Sequence, residues 1–428
     1  MNMHPDDRDG SISRREAIRL SLGAFGCAAL GPLDRAVAAP TRATVPGAAP
    51  PPADQKFVVV IELDGGNDGL NMVVPQTLAN YALRRPTLAL SAGSTQALDS
   101  GPFATGDFRL HGRMPRLAQL YRDGELAIVN RVGYPNANQS HDTSKAVWAV
   151  GRRDNLPTAN GWIARYAGLA APTTLGAVSV RRGRHRSMTG GATNPLTLDS
   201  LGAFRFDVDT AFTANHTRRL QIVRSLLEAR ASSAPRDALL TGHALAAQVA
   251  AAVSGYTGTA VYGTSGIGSA MRDIAMMLQA GFETRIFYTG FGGFDTHAAQ
   301  GTTTGAQPDL LEDLDEAVQG FADDCRAMGI WQNAIVLVVS EFGRRNFENG
   351  SGGTDHGAAS CVLAAGGAIR GGLHGVAPTD TDLAQSVLPY AVDFRALYAN
   401  LLLDHLGLSD PAQVFSEPYT SPATVDLV

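Results

Sequence analysis

The chain has 428 residues, 44% hydrophobic and 18% charged, enough apolar content for one large domain or about two to three smaller ones. Its formal net charge is −5 and no basic block occurs, which argues against nucleic acid, whose binding needs phosphate-neutralising patches. The 47 glycines follow no Gly-X-Y period, so collagen is excluded. After the first 40 residues no apolar stretch reaches the ~20 residues that span a bilayer.

At the N-terminus, Ser13-Arg14-Arg15-Glu16-Ala17-Ile18 precedes an apolar run from Leu20 to Leu30 and a small-x-small cleavage site, Ala36-Val37-Ala38. Residues 1–38 thus resemble a twin-arginine export signal, which implies the twin-arginine translocase as a partner and a periplasmic or secreted destination. Residues 39–55, rich in Pro and Ala, read as a flexible linker, and residues 56–428 as the folded domain. Cys325 and Cys361 fall on a predicted helix and a predicted strand, so two separate buried thiols are expected rather than a disulfide.

Short Val- and Ile-rich runs at Phe57–Leu63, Leu126–Val129, Thr284–Tyr288, Ala334–Val339 and Cys361–Ala364 read as strands buried on both faces. Helical spacing separates them, at Pro115–Tyr121, Ala211–Arg230, Asp237–Val253, Ile267–Ala280, Leu310–Met328 and Phe394–Leu406. The alternation predicts an α/β three-layer sandwich with a mostly parallel central sheet. Residues 175–215 are irregular in composition, and 175–265 form a candidate cap or helical insertion.

Ligands in such sheets bind beyond the carboxyl ends of the strands, so the residues just past each strand end are the candidates. The first strand ends in Asp64-Gly65-Gly66-Asn67-Asp68-Gly69-Leu70-Asn71, either a self-capped turn or a pair of metal-seeking carboxylates. The strand at 126–129 leads to Ser140-His141 at a helix start, where Ser140 is an N-cap or a nucleophile beside free backbone N–H groups. Asp295-Thr296-His297 comes after the strand at 284–288, and Ser340-Glu341-Phe342-Gly343-Arg344 after the strand at 334–339. Glu341 at a buried strand end needs a cation, a partner such as Arg344, or a protonated state. Asp355-His356 stands among glycines before the strand at 361–364. Mixed carboxylates and imidazoles suit Zn²⁺, Mn²⁺ or Fe²⁺.

Gly65-Gly66-Asn67-Asp68-Gly69-Leu70-Asn71, Gly133-Tyr134-Pro135, Ser140-His141, Gly292-Gly293-Phe294-Asp295-Thr296-His297, Ser340-Glu341-Phe342-Gly343-Arg344 and Thr354-Asp355-His356-Gly357 occur in that order. Together they resemble the signatures of the domain-of-unknown-function family 1501, over nearly all of residues 56–410. That family is bacterial, frequently exported by the twin-arginine route, and grouped with the alkaline phosphatase-like superfamily. The resemblance implies an alkaline phosphatase-like sheet with one or two divalent ions at its carboxyl edge. Asp64 or Asp68, with Asp295, His297, Glu341, Asp355 and His356, would supply the ligands. Ser140 would be the nucleophile, with Thr143 and Ser144 behind it, His141 a ligand or general acid, and Arg344 or Arg131 a clamp on the ester's oxygens. Glu341 stands where an Asp-His pair normally follows a strand, so one histidine is missing, and either a single site or an altered second site is expected in place of two full ones. The sulfatase motif, Cys or Ser followed by x-Pro-x-Arg, does not occur near the second strand.

Two functions are therefore expected to compete. One is an exported metal-dependent hydrolase of phosphate or sulfate esters, on a small-molecule or glycan substrate, using Ser140 or a metal-activated water. The other is a non-catalytic envelope module of the same fold that binds a metal, a glycan or a partner protein.

Overall fold

The computed structural model describes residue 52 and residues 54–428, apart from 174, 194 and 203–215. The expected export signal and most of the linker lie outside the described residues. The described residues divide into two compact units, one made of the residues up to 200 together with 256–428, the other of residues within 201–255.

Twelve strands are described: β1 (Phe57–Asp64), β2 (Val73–Val74), β3 (Thr95–Leu98), β4 (Thr105–His111), β5 (Leu126–Gly133), β6 (Ala177–Val180), β7 (Leu196–Leu198), β8 (Ile286–Gly292), β9 (Ala334–Val339), β10 (Ser360–Ala365), β11 (Gly372–Gly375) and β12 (Val392–Asp393). The main sheet runs β11-β5-β10-β9-β1-β8-β6-β7, with β12 also on β5. Every neighbouring pair is parallel except the two that involve β10, which runs antiparallel to both β5 and β9. This reversal matters for function. A strand that runs against its neighbours starts at the edge where they end, so the single loop that joins β9 to β10, residues 340–359, lies at that edge beside the loops that leave β1 and β8. The strands β2, β3 and β4 form a separate small antiparallel sheet.

β1 sits at the centre and is buried along all but its last residue. Because successive side chains alternate between faces, Val58 and Val60 join one apolar layer and Phe57 and Ile61 face the other way. The first layer packs β5, β8, β9 and β10 under Val147 and Trp148 of the helix His141–Val150, Trp162, Ile163 and Tyr166 of the helix Trp162–Ala170, and Phe394 and Tyr398 of the helix Phe394–Asn400. On the opposite face the Phe57 ring meets Phe287 at 6.3 Å and Phe321, from the helix Ala306–Ala327, at 6.4 Å, both edge-on. Helices on both faces of a mostly parallel sheet make the expected three layers.

Two sequence expectations change. Composition marks 175–215 as irregular, yet β6 and β7 extend the main sheet there; four- and three-residue strands are too short for periodicity to reveal. The closing helix ends at Asn400 and continues as a π-helical turn, Leu401–His405. Cys325 and Cys361 are free and buried. The second unit holds two helices, His216–Glu228 and Ala234–Gly255, tied by an Arg236 Nε–H donated to the Leu227 carbonyl at 2.7 Å. Among the described residues no helix is long and apolar enough to cross a membrane.

Candidate metal centre

Four loops meet at the sheet's carboxyl edge, and glycine lets them approach. A Cβ on Gly65, at φ +124°, would stand 2.4 Å from the Asp295 nitrogen, so the loops after β1 and β8 touch only through a glycine. Gly353 plays the same part between the loop before β10 and His297, where a Cβ would lie 2.4 Å from the His297 carbonyl carbon. Arg344 locks the assembly. Its side chain is fully buried and donates to the carbonyls of Gly65, Gly66, Phe294 and Thr354 and, at 2.7 Å, to Asp295 Oδ1.

Asp295 Oδ1 is the common point of the site. His297 Nε2 and His356 Nε2 each lie 3.1 Å from it, His141 Nε2 lies 3.5 Å from it, and the His297 and His356 nitrogens are 2.9 Å apart. The ligand atoms of His141, Asp295 and His356 all fall within 4.8 Å of one another. For comparison, tetrahedral ligands at Zn–N and Zn–O distances of about 2.0–2.1 Å stand ~3.3 Å apart.

The far side of each ring fixes its tautomer. His141 Nδ1 faces Glu341 Oε1 at 2.7 Å, His297 Nδ1 faces Asp355 Oδ1 at 3.1 Å, and His356 Nδ1 faces the Gln139 carbonyl at 2.7 Å. All three partners are acceptors, so each Nδ1 carries the proton and each Nε2 presents a lone pair to the shared centre. His141 Nε2 is buried with no hydrogen-bond partner. Lone pairs from two imidazoles 2.9 Å apart, beside a carboxylate oxygen, repel unless a cation lies among them. Carboxylates and carbonyls behind metal-binding histidines are the usual means of orienting them. The donor set therefore fits a divalent ion of the zinc, manganese or iron type.

Electrostatics keep the acids charged. Partial burial opposes ionisation of Asp295, but the hydrogen bond and positive charge of Arg344 outweigh it and hold its pKa at about 2. Hydrogen bonds from Asn349 and His297 hold Asp355 below the usual carboxylate range. Asp295 and His297 remain nearly half exposed, at 48% and 44%, which leaves the centre open to solvent on one side.

Residues 212–424 match the model of a family described as a protein of unknown function (DUF1501). The chain carries that family's signature. The DUF1501 span contributes Asp295, His297 and His356, whereas His141 precedes it. Comparison with curated proteins finds no match. Among solved structures the chain is similar to a sulfatase from Pseudoalteromonas sp., at 10% identity and TM-score 0.38, over 97% of this chain and 78% of that one. It is also similar to a protein in the alkaline phosphatase superfamily from Vibrio parahaemolyticus, at 10% identity and TM-score 0.34, over 96% and 80% of the two chains. For alkaline phosphatase from the Antarctic bacterium TAB5 the identity is 10% and the TM-score 0.32, over 79% and 96%.

Several expected ligands stand elsewhere. Asp68 is buried in an ion pair with Arg85, 2.6 Å, and accepts from Gln300 Nε2 at 2.7 Å, so its carboxylate braces loops outside the three-residue group. Glu341 lies behind His141 rather than beside it, with Oε1 also accepting the Gly65 N–H at 3.0 Å. Asp355 lies behind His297 in the same way. Asp64 is ion-paired to Lys145 and Arg182. Arg344, expected to grip substrate oxygens, is consumed by the loops it ties together, and Arg131 bonds the Pro389 carbonyl and Asp382.

Ser140 is exposed and opens the helix His141–Val150, and its side chain makes no capping hydrogen bond. Ser144 is buried and bonded to the Asn138 carbonyl and, at 2.8 Å, to the Tyr134 hydroxyl. Sequence reasoning missed Lys145, although it is one turn past His141 and one of two lysines in the chain. Arg182 had no signal in its irregular surroundings.

Proposed function

We propose that this protein is a hydrolase of phosphate or sulfate esters that works with a divalent ion held by His141, Asp295, His297 and His356. The observation that carries the proposal is the convergence of three Nε2 lone pairs on one carboxylate oxygen, each imposed by an acceptor at Nδ1. An ion held there would supply Lewis-acid chemistry, polarising an ester and lowering the pKa of a nearby hydroxyl. Ser140, next to His141 in sequence and free of a capping bond, is the hydroxyl to which this reading gives the attack. The first turn of the helix His141–Val150 has backbone N–H groups without intrahelical partners, which suits the non-bridging oxygens of an anionic ester. Glu341 and Asp355 hold the rings of His141 and His297 in register, and Arg344 fixes the Asp295 carboxylate. Export by the twin-arginine translocase, read from Ser13-Arg14-Arg15, belongs to the same proposal and matches delivery of a protein already folded.

The test is a panel of aryl phosphate monoesters, phosphate diesters and sulfate esters, run on the mature chain supplied with Zn²⁺ or Mn²⁺. Turnover of at least one class is expected, abolished by His297→Ala and by Ser140→Ala. Ser140→Ala should keep its metal and its fold. No turnover of any class by the ion-loaded protein would favour the binding-module reading. Full turnover in Ser140→Ala would move the nucleophile to Thr143 or to water.

A further inference from the structure

Beside the centre lies a second cluster of charges that the proposed hydrolysis does not use. Glu62 and Asp64 are two residues apart on β1 and so project from the same face of the sheet. Both reach one nitrogen, Arg182 Nη2, at 2.8 Å from Glu62 Oε2 and 3.0 Å from Asp64 Oδ2. Lys145 Nζ takes the other oxygen of Asp64. His185 Nε2 stands 3.6 Å from Glu62 Oε2, and the Tyr288 hydroxyl donates to that same oxygen at 2.8 Å. Two carboxylates and an imidazole gathered at a strand end are the donor types of a metal site. Here two cations of the chain itself fill it, and the four formal charges sum to zero.

We infer that Glu62 and Asp64 form a second cation site that Arg182 and Lys145 fill permanently, so that the centre takes one divalent ion and the second positive charge at the sheet edge is the Lys145 ammonium. The inference rests on the metal reading of the proposed function and fixes the ion count that reading leaves open. The cluster is built to stay closed. Arg182 is tied to two acids at once, and burial that works against charge on Lys145 is outweighed by its bond to Asp64. His185 is held neutral, because burial pushes its pKa down despite Glu62, so it adds no third positive charge. A divalent ion would have to displace the Lys145 ammonium to reach Asp64 Oδ1, and Arg182 as well to reach both acids. Lys145 also stands one helical turn from His141, on the same helix face, with its side chain 29% exposed. Its ammonium is therefore a fixed positive charge one helical turn from a proposed ligand.

Native mass spectrometry with elemental analysis of the folded mature protein, stripped and reloaded with Zn²⁺, tests this. One ion per chain is expected for the wild type and for Asp64→Asn. Two are expected once the internal cations are removed, in Lys145→Met and in the double variant with Arg182→Met. Lys145→Met alters only a partly exposed side chain, and Lys145→Arg should restore a count of one. Two ions in the wild type, with one lost in Asp64→Asn, would overturn the inference and leave the metal centre standing. So would a single ion that disappears in Asp64→Asn, or a count that stays at one in both cation-removed variants. A wild type that binds none would overturn the metal centre itself, and this inference with it.

Discussion

Glu341→Gln isolates the charge behind one ligand without changing the shape of the buried side chain. In the native protein Glu341 Oε1 accepts from His141 Nδ1 at 2.7 Å and from the Gly65 N–H at 3.0 Å, and Oε2 accepts from the Ser340 hydroxyl at 3.1 Å. The amide oxygen of Gln can keep both bonds at the Oε1 position. Its NH₂ then faces a Ser340 oxygen that can accept instead of donating. The fold is thus preserved while the negative charge that makes His141 a stronger ligand is removed. Loss of such a partner typically weakens metal affinity by about 10- to 100-fold, equivalent to ~1.4–2.7 kcal/mol. Competition of the loaded protein against a chelator of known affinity reads this directly, and thermal unfolding of the metal-free protein checks that the fold is intact. An unchanged metal affinity in Glu341→Gln would refute the claim that Glu341 acts through His141.

Other consequences arise from buried groups. Arg85→Met leaves the Asp68 carboxylate without its cation at 1% exposure, and should cost about 3–5 kcal/mol in urea unfolding. The double variant with Asp68→Asn should recover part of that loss, and an unaffected single variant would contradict the pairing. His405 is buried with Nε2 3.1 Å from the carbonyls of both Phe57 and Asn333, and burial outweighs those bonds to push its pKa down to about 4. The unfolded chain takes up the proton near pH 6.5 and the folded chain refuses it until about pH 4. Stability should therefore fall as pH drops through that window, by up to ~3 kcal/mol. His405→Gln should flatten the slope, and an identical slope in the variant would sink the assignment.

The fold was largely legible because its central strands are apolar on both faces and alternate with amphipathic helices. The segments just past the strand ends, together with the loop before the strand at 361–364, hold every residue now found at the centre. What stayed hidden was depth. Glu341 and His141, or Asp355 and His297, lie at similar places in the chain pattern, and only the backbone determines which one of each pair touches the centre. The antiparallel course of β10 was equally invisible, because a short apolar strand carries no mark of direction. Asp68 misled because its motif position suggested a ligand, while its partner Arg85 lies 17 residues away in a segment with no strand signal. Glu62 was a missed clue, since an acid within a buried apolar strand demands a cation.

X-ray absorption spectroscopy of the Zn²⁺-loaded mature protein tests the central claim most directly, because it counts the imidazoles around the ion. The account predicts three histidine nitrogens and one or more oxygens at about 2.0–2.2 Å, falling to two imidazoles in His297→Ala. A first shell made only of oxygens, or an imidazole count that His297→Ala leaves unchanged, would contradict it.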